Sequence, residues 1–152
     1  LTPDAAKELW EHRGYVFKAT MLAHGTIKLK KKEYTEVYRK YFKNNSRSHW
    51  RMMQAFFGGN YWWSSKKQNS RTPGKLLEEI YADLGEDELS RTYTLERFVS
   101  HPNCTLDLAL RIGTMKTPEN ARSYYSNDFE QLRNKAMLKV AEITKRESAD
   151  SR

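Results

Sequence analysis

The sequence predicts an all-α fold of about six helices in one compact domain, and three observations predict it. Apolar residues recur at helical spacing over 4–23, 33–43, 73–84 and 118–146. Glycine and proline punctuate the gaps between these stretches. Thr-Pro pairs at Thr2-Pro3, Thr72-Pro73 and Thr117-Pro118 stand where helices should begin, since proline fits the first helical position and threonine can cap it.

Thr2-Pro3-Asp4 reads as the first start, with an acid at the positive end of the helix dipole. Ala6, Leu9, Trp10, Arg13 and Phe17 then follow near helical spacing. One helix reaching Ala23 is expected, weakened at Gly14 and closed near Gly25. In the next helix Tyr34, Val37, Tyr38, Tyr41 and Phe42 form one face, and Arg39, Lys40 and Lys43 fall outside it. Asn44-Asn45-Ser46 ends that helix. Trp50, Met53 and Phe57 indicate a third, stopped by Gly58-Gly59.

Residues 58–72 are expected to be the longest irregular segment, an exposed loop around Tyr61-Trp62-Trp63. From Thr72-Pro73, Leu76, Leu77, Ile80, Tyr81 and Leu84 mark a helix ended by Gly85. Leu95, Phe98 and Val99 mark a short one, closed by His101-Pro102-Asn103. Leu106, Leu108, Leu110 and Ile112 alternate like a strand, yet the helical neighbourhood favours a helix there. A last helix is expected from Thr117-Pro118-Glu119 through Tyr125, Phe129, Leu132, Ala136 and Ile143. Asn127 and Glu130 resemble a capping box that renews it, and the polar tail after Lys145 should fray.

Charge divides the chain. Of a net +8, residues 1–75 hold 16 Lys/Arg against 5 Asp/Glu, net +11, and residues 76–152 hold 11 against 14, net −3. All of the +11 arises within 28–75, where 13 basic residues face only Glu33 and Glu36. Such an asymmetry points the first half at a polyanion. Ten of the 19 aromatic residues also fall within 34–63. Cations neutralise phosphates and release counterions, and aromatic faces stack on bases, so the combination suits nucleic acid. The candidate contacts are Lys28, Lys30, Lys31, Lys32, Arg39, Lys40, Lys43, Arg47, Arg51, Lys66, Lys67 and Arg71, with Trp62 and Trp63 as stacking or anchoring residues.

Other chemistry finds little footing. Gly74-Lys75 is no phosphate loop, because Asn69 stands where its first glycine belongs and Leu76 where its hydroxyl belongs. Motifs for dinucleotides, zinc proteases and serine hydrolases are absent, so a non-enzymatic protein without a cofactor is expected. His101 and Cys104 could supply two metal ligands, whereas a structural zinc site needs four and His12, His24 and His49 are scattered. A turn with an inert thiol is the simpler reading. A single cysteine forms no internal disulfide and suits a reducing, intracellular compartment such as nucleus, cytoplasm or mitochondrial matrix. Mean hydropathy is −0.89, and no run approaches the ~18 apolar residues of a membrane span. No secretory segment opens the chain. It begins at Leu1 rather than Met and so reads as a fragment, or as a chain that has lost a leading segment such as an organellar presequence.

The run from Ala109 to Tyr125, Ala-Leu-Arg-Ile-Gly-Thr-Met-Lys-Thr-Pro-Glu-Asn-Ala-Arg-Ser-Tyr-Tyr, resembles the end of a Myb/SANT-type repeat within residues 93–133. In that family a short second helix ends near a Gly-Thr turn, and an Arg/Lys-Thr-Pro start opens the third. The resemblance implies a helix-turn-helix presenting Lys116, Asn120 and Arg122 to a major groove. SANT-type members often bind proteins, and the net acidic charge of this half points that way. Val37-Tyr38-Arg39 also resembles the Leu-Tyr-Arg motif of small mitochondrial assembly proteins. Two functions fit these observations. One is a binder of DNA or RNA. The other is a structural or assembly subunit with protein partners in a larger multiprotein complex, an organellar one among the options.

Overall fold

The computed structural model describes residues 1–44, 49–58, 70–121 and 126–151. Every regular element among these residues is helical: α1 (Pro3–His12), α2 (Tyr15–Ala23), α3 (Lys31–Val37), a π-helical turn (Tyr38–Phe42), α4 (His49–Phe57), α5 (Gly74–Ala82), α6 (Glu86–Leu89), α7 (Thr92–Ser100), α8 (Leu106–Gly113) and α9 (Ser126–Asp150). The all-α fold expected from the sequence is the fold found, built from more and shorter helices. By internal packing the chain forms two units, Leu1–Leu76 and Leu77–Arg152. The change in charge sign after residue 75 lies beside that boundary.

In the first unit Thr2 caps α1 by accepting the Ala5 N–H at 3.2 Å, with Pro3 and Asp4 behind it as the sequence implies. The single helix expected to Ala23 is two. Arg13 and Gly14 are extended, and Gly14 becomes the N-cap of α2. The α2 end follows a Schellman pattern: Gly25 takes φ +67°, its N–H reaches the Leu22 carbonyl at 3.2 Å, and the Thr26 N–H reaches Met21 at 2.9 Å. Asn44, at φ +64°, follows the π turn in the same left-handed region. Helix α4 packs on α2 and is sequestered along Met52–Phe57. Its Phe56 ring meets Tyr34, Tyr38 and Phe42 edge-on at 6.5, 5.7 and 5.4 Å. The α3–π stripe is thus the core of this unit. Gly58, at φ +74°, ends α4 where the sequence places a stop. The irregular segment expected over 58–72 lies mostly outside the described residues. At its far end the Thr72 hydroxyl donates to the Phe56 carbonyl at 2.5 Å.

In the second unit Gly85 does not close α5. It is the N-cap of the short acidic α6. Helices α7, α8 and α9 pack on one another around Leu95, Phe98, Leu108, Ile112, Phe129, Leu132 and Ala136, all buried. The ambiguous run is helical: Thr105 caps α8 by accepting the Leu108 N–H at 3.2 Å, and Leu108, Ala109 and Ile112 are buried while Leu110 is exposed. Burial at i, i+1 and i+4 with exposure at i+2 is what a helix produces and a strand does not. Gly113 lets α8 approach α9, since a Cβ there would lie 2.6 Å from the Met137 sulfur and 3.5 Å from the Ala136 Cβ. The last helix does not open at Thr117-Pro118. That stretch is irregular, with a turn in which the Ala121 N–H reaches the Pro118 carbonyl at 3.0 Å, and α9 starts at Ser126, beside the residues read as a capping box. The tail expected to fray after Lys145 is helical. Lys145, Arg146, Glu147 and Ala149 are good helix formers with no breaker among them, and α9 runs to Asp150.

Candidate nucleic-acid interface

Four of the basic residues of the first unit, Lys31, Lys32, Arg39 and Lys40, are carried by a stretch whose other side is core. Over Lys31–Phe42 the residues Tyr34, Val37, Tyr38 and Phe42 are buried, and Lys31, Lys32, Glu36, Arg39 and Lys40 are exposed. Lys28 and Lys30 are exposed in the connection that enters α3, and Lys30 is its N-cap without a side-chain capping bond. Lys30, Lys31 and Lys32 therefore sit at the positive end of a helix dipole, where cations are disfavoured and anions favoured. Lys28, Lys30, Lys31 and Lys32 make no ion pair with a described residue. Lys43, half-buried, closes the π turn, its N–H bonded to the Tyr38 carbonyl at 2.8 Å. Arg71 is exposed in the turn before α5. In the second unit several cations are met by acids, in the pairs Arg91–Asp87 at 2.7 Å, Arg111–Asp107 at 3.0 Å and Lys135–Glu96 at 2.5 Å. Lys116 is exposed in the irregular stretch and stands on no helix. Arg47, Trp62, Trp63, Lys66, Lys67 and Arg122 lie outside the described residues, as does Tyr61.

Most described aromatics of 34–63 are not free to stack. Tyr34, Tyr38, Phe42, Phe56 and Phe57 are buried, and the half-buried Tyr41 lies under two ammonium groups, Lys18 at 4.7 Å and Lys40 at 5.2 Å from its ring centre. The exception is Trp50, expected on the core face of its helix but 42 % exposed. The Arg51 guanidinium lies 4.2 Å from its ring centre and donates to the Gln54 side-chain oxygen at 3.2 Å.

Comparison with protein-family models, with curated proteins and with solved structures gives no match.

Chemistry elsewhere is muted. Cys104 is buried, its thiol directed at the Thr105 carbonyl at 3.6 Å, and burial pushes its pKa up from 9.0 to about 11. A nucleophile needs the opposite shift. The buried His101 accepts the Asn103 N–H on Nδ1 at 3.0 Å. Among the described residues no three His, Cys, Asp or Glu side chains gather as a metal site. No described helix is long and apolar enough to cross a membrane.

Sequence reasoning missed two features of the first unit. Trp50 was disguised by its spacing to Met53 and Phe57. Lys18, on the buried face of α2 at 2 % exposure, was passed over because lysine carries no weight in an apolar pattern. The aromatic residues Trp10 and Tyr41 that receive it were both visible, eight residues before it and in the next basic helix, but nothing local links them.

Proposed function

We propose that this chain is a non-enzymatic nucleic-acid-binding protein whose first unit meets the phosphate backbone of DNA or RNA. One observation carries the reading. Lys28, Lys30, Lys31 and Lys32 are exposed, lack acidic partners among the described residues, and crowd the start of α3, with Arg39 and Lys40 exposed on the π turn that follows it. Such an arrangement costs the free protein a little self-repulsion and is relieved by an anion. A nuclear, cytoplasmic or mitochondrial location accords with this partner and with the unpaired, buried Cys104. The test is a fluorescence-polarisation panel of single-stranded and duplex DNA and RNA at two salt concentrations. Binding through several phosphates weakens steeply with salt, with a log–log slope of about −0.7 to −0.9 per phosphate contacted. Absence of binding at low salt, or affinity indifferent to salt, removes the reading.

A second reading, a subunit of a larger assembly, draws support from the second unit. Leu138 is 73 % exposed on α9, and Met137 and Leu110 are also exposed. A protein interface led by such side chains would depend on salt far less, so the same titrations separate the two.

A further inference from the structure

We infer that Trp50 is a base-stacking residue that biases the first unit toward single-stranded over duplex nucleic acid, an inference that rests on the proposed binding function. The indole stands on a scaffold that does not yield. Every residue from Met52 to Phe57 is buried, so α4 cannot rotate to hide the ring without exposing its core. The Arg51 guanidinium is held over one face of the ring, 4.2 Å from its centre, by its hydrogen bond to Gln54, a side chain that is itself buried, so a base would stack on the opposite face. The result is a preorganised aromatic surface with a fixed cation, in the same unit as the unpaired lysines. A planar base adds to such a surface by stacking, and the guanidinium adds cation–π attraction. In a duplex the bases are already stacked on one another and their faces are closed. Only an unpaired base in a strand, loop or end can present a face to Trp50. The lysines neutralise phosphates in either form, so they set affinity without choosing between the forms.

The experiment compares one 15-nucleotide sequence as single-stranded RNA, as single-stranded DNA and as the corresponding duplexes, for the parent protein and for Trp50→Ala, Trp50→Leu and Trp50→Phe. The parent should bind both single strands more tightly than the duplexes. Removal of the ring in Trp50→Ala should weaken single-strand binding by roughly five- to 150-fold, the span expected of a single base stack, and leave duplex binding nearly unchanged. Trp50→Leu keeps apolar bulk, guards against loss of the α4 start, and should fail like Trp50→Ala. Trp50→Phe should recover most of the affinity. The salt slope should be the same in all four proteins, because no charge is removed. If single-strand RNA and DNA respond alike, the unpaired base is what is recognised, and a response confined to one of them narrows the partner to that strand. Equal losses on single strands and duplexes, or no loss on any oligonucleotide, overturn the role of Trp50 while leaving the basic surface intact. If the parent binds none of the oligonucleotides, the underlying function fails instead.

Discussion

The Lys18 ammonium lies 4.7 Å from the centre of the Tyr41 ring and 5.4 Å from that of Trp10, and it donates to the carbonyl of Arg13. This one side chain ties together α1, the break after it, α2 and the π turn. It is 2 % exposed, so the charge has left water and is held by two ring faces and a carbonyl.

Two variants separate the stem of Lys18 from its charge. Lys18→Ala removes buried methylenes and opens a cavity, and should cost about 2–4 kcal/mol in urea unfolding. Lys18→Met keeps the stem and drops the ammonium. It loses about 2 kcal/mol of ring attraction but regains a desolvation cost of similar size, so its effect should be less than half as large. Equal losses in both variants would mean that the charge, not the packing, holds the α1–α2 joint.

Cys104 should behave as a core atom. At pH 8 the folded protein should react with a disulfide reagent far more slowly than the urea-unfolded chain, since burial lifts its thiol pKa from 9.0 to about 11. The sign of the linked stability effect follows. Above pH 9 the unfolded chain releases this proton and the folded one keeps it, so stability falls as pH rises from 9 toward 11. In Cys104→Ala that part of the alkaline slope should vanish. A slope unchanged by the substitution would remove Cys104 as its source.

Gly113 tests the α8–α9 approach. In Gly113→Ala the new methyl displaces the Met137 thioether, which is 43 % exposed and free to swing outward, while the helix gains up to about 1 kcal/mol of propensity. The net change should lie near zero. Gly113→Val must also press on the buried Ala136, and should cost about 1–3 kcal/mol in thermal or urea unfolding. Met137→Ala should recover part of the Gly113→Val loss, because it removes the first atoms met.

How much of this was legible in the sequence depends on whether the deciding interaction is local. The Thr2-Pro3 start, the Gly25 stop and the Tyr34–Phe42 stripe were readable because cap, left-handed glycine and buried face all lie within a few residues of each other. Thr117-Pro118 carries the same dipeptide and opens nothing. Behind Thr2-Pro3 the Ala6 side chain is buried against the first turn, whereas Ala121, three residues after Pro118, is only half-buried. The basic run was legible as a charge count, and its exposure followed from the stripe opposite. That Phe56 and Phe57 are core while Trp50, on the same described helix, is exposed depends on Phe56 meeting three rings from outside that helix. Periodicity cannot register that, because α4 is buried on nearly every side beyond its first turn.

The lysines at the start of α3 give the sharpest test of the proposed surface. Lys30, Lys31 and Lys32 are exposed, make no ion pair with a described residue, and face the dipole's positive end. In the triple Ala variant the helix start loses three unfavourable charges, so thermal unfolding should stay level or rise by a few tenths of a kcal/mol each. Binding should fall for every sequence tried, and the salt slope should shrink by about 0.7–0.9 for each phosphate no longer neutralised. Lys116→Ala makes the contrasting forecast. Its residue is exposed in the second unit, whose net charge of −3 over 76–152 repels a phosphate backbone at long range. Affinity and slope should then be unchanged. A triple variant that binds as tightly as the parent, beside a Lys116 variant that does not, would move the binding surface from the first unit to the second.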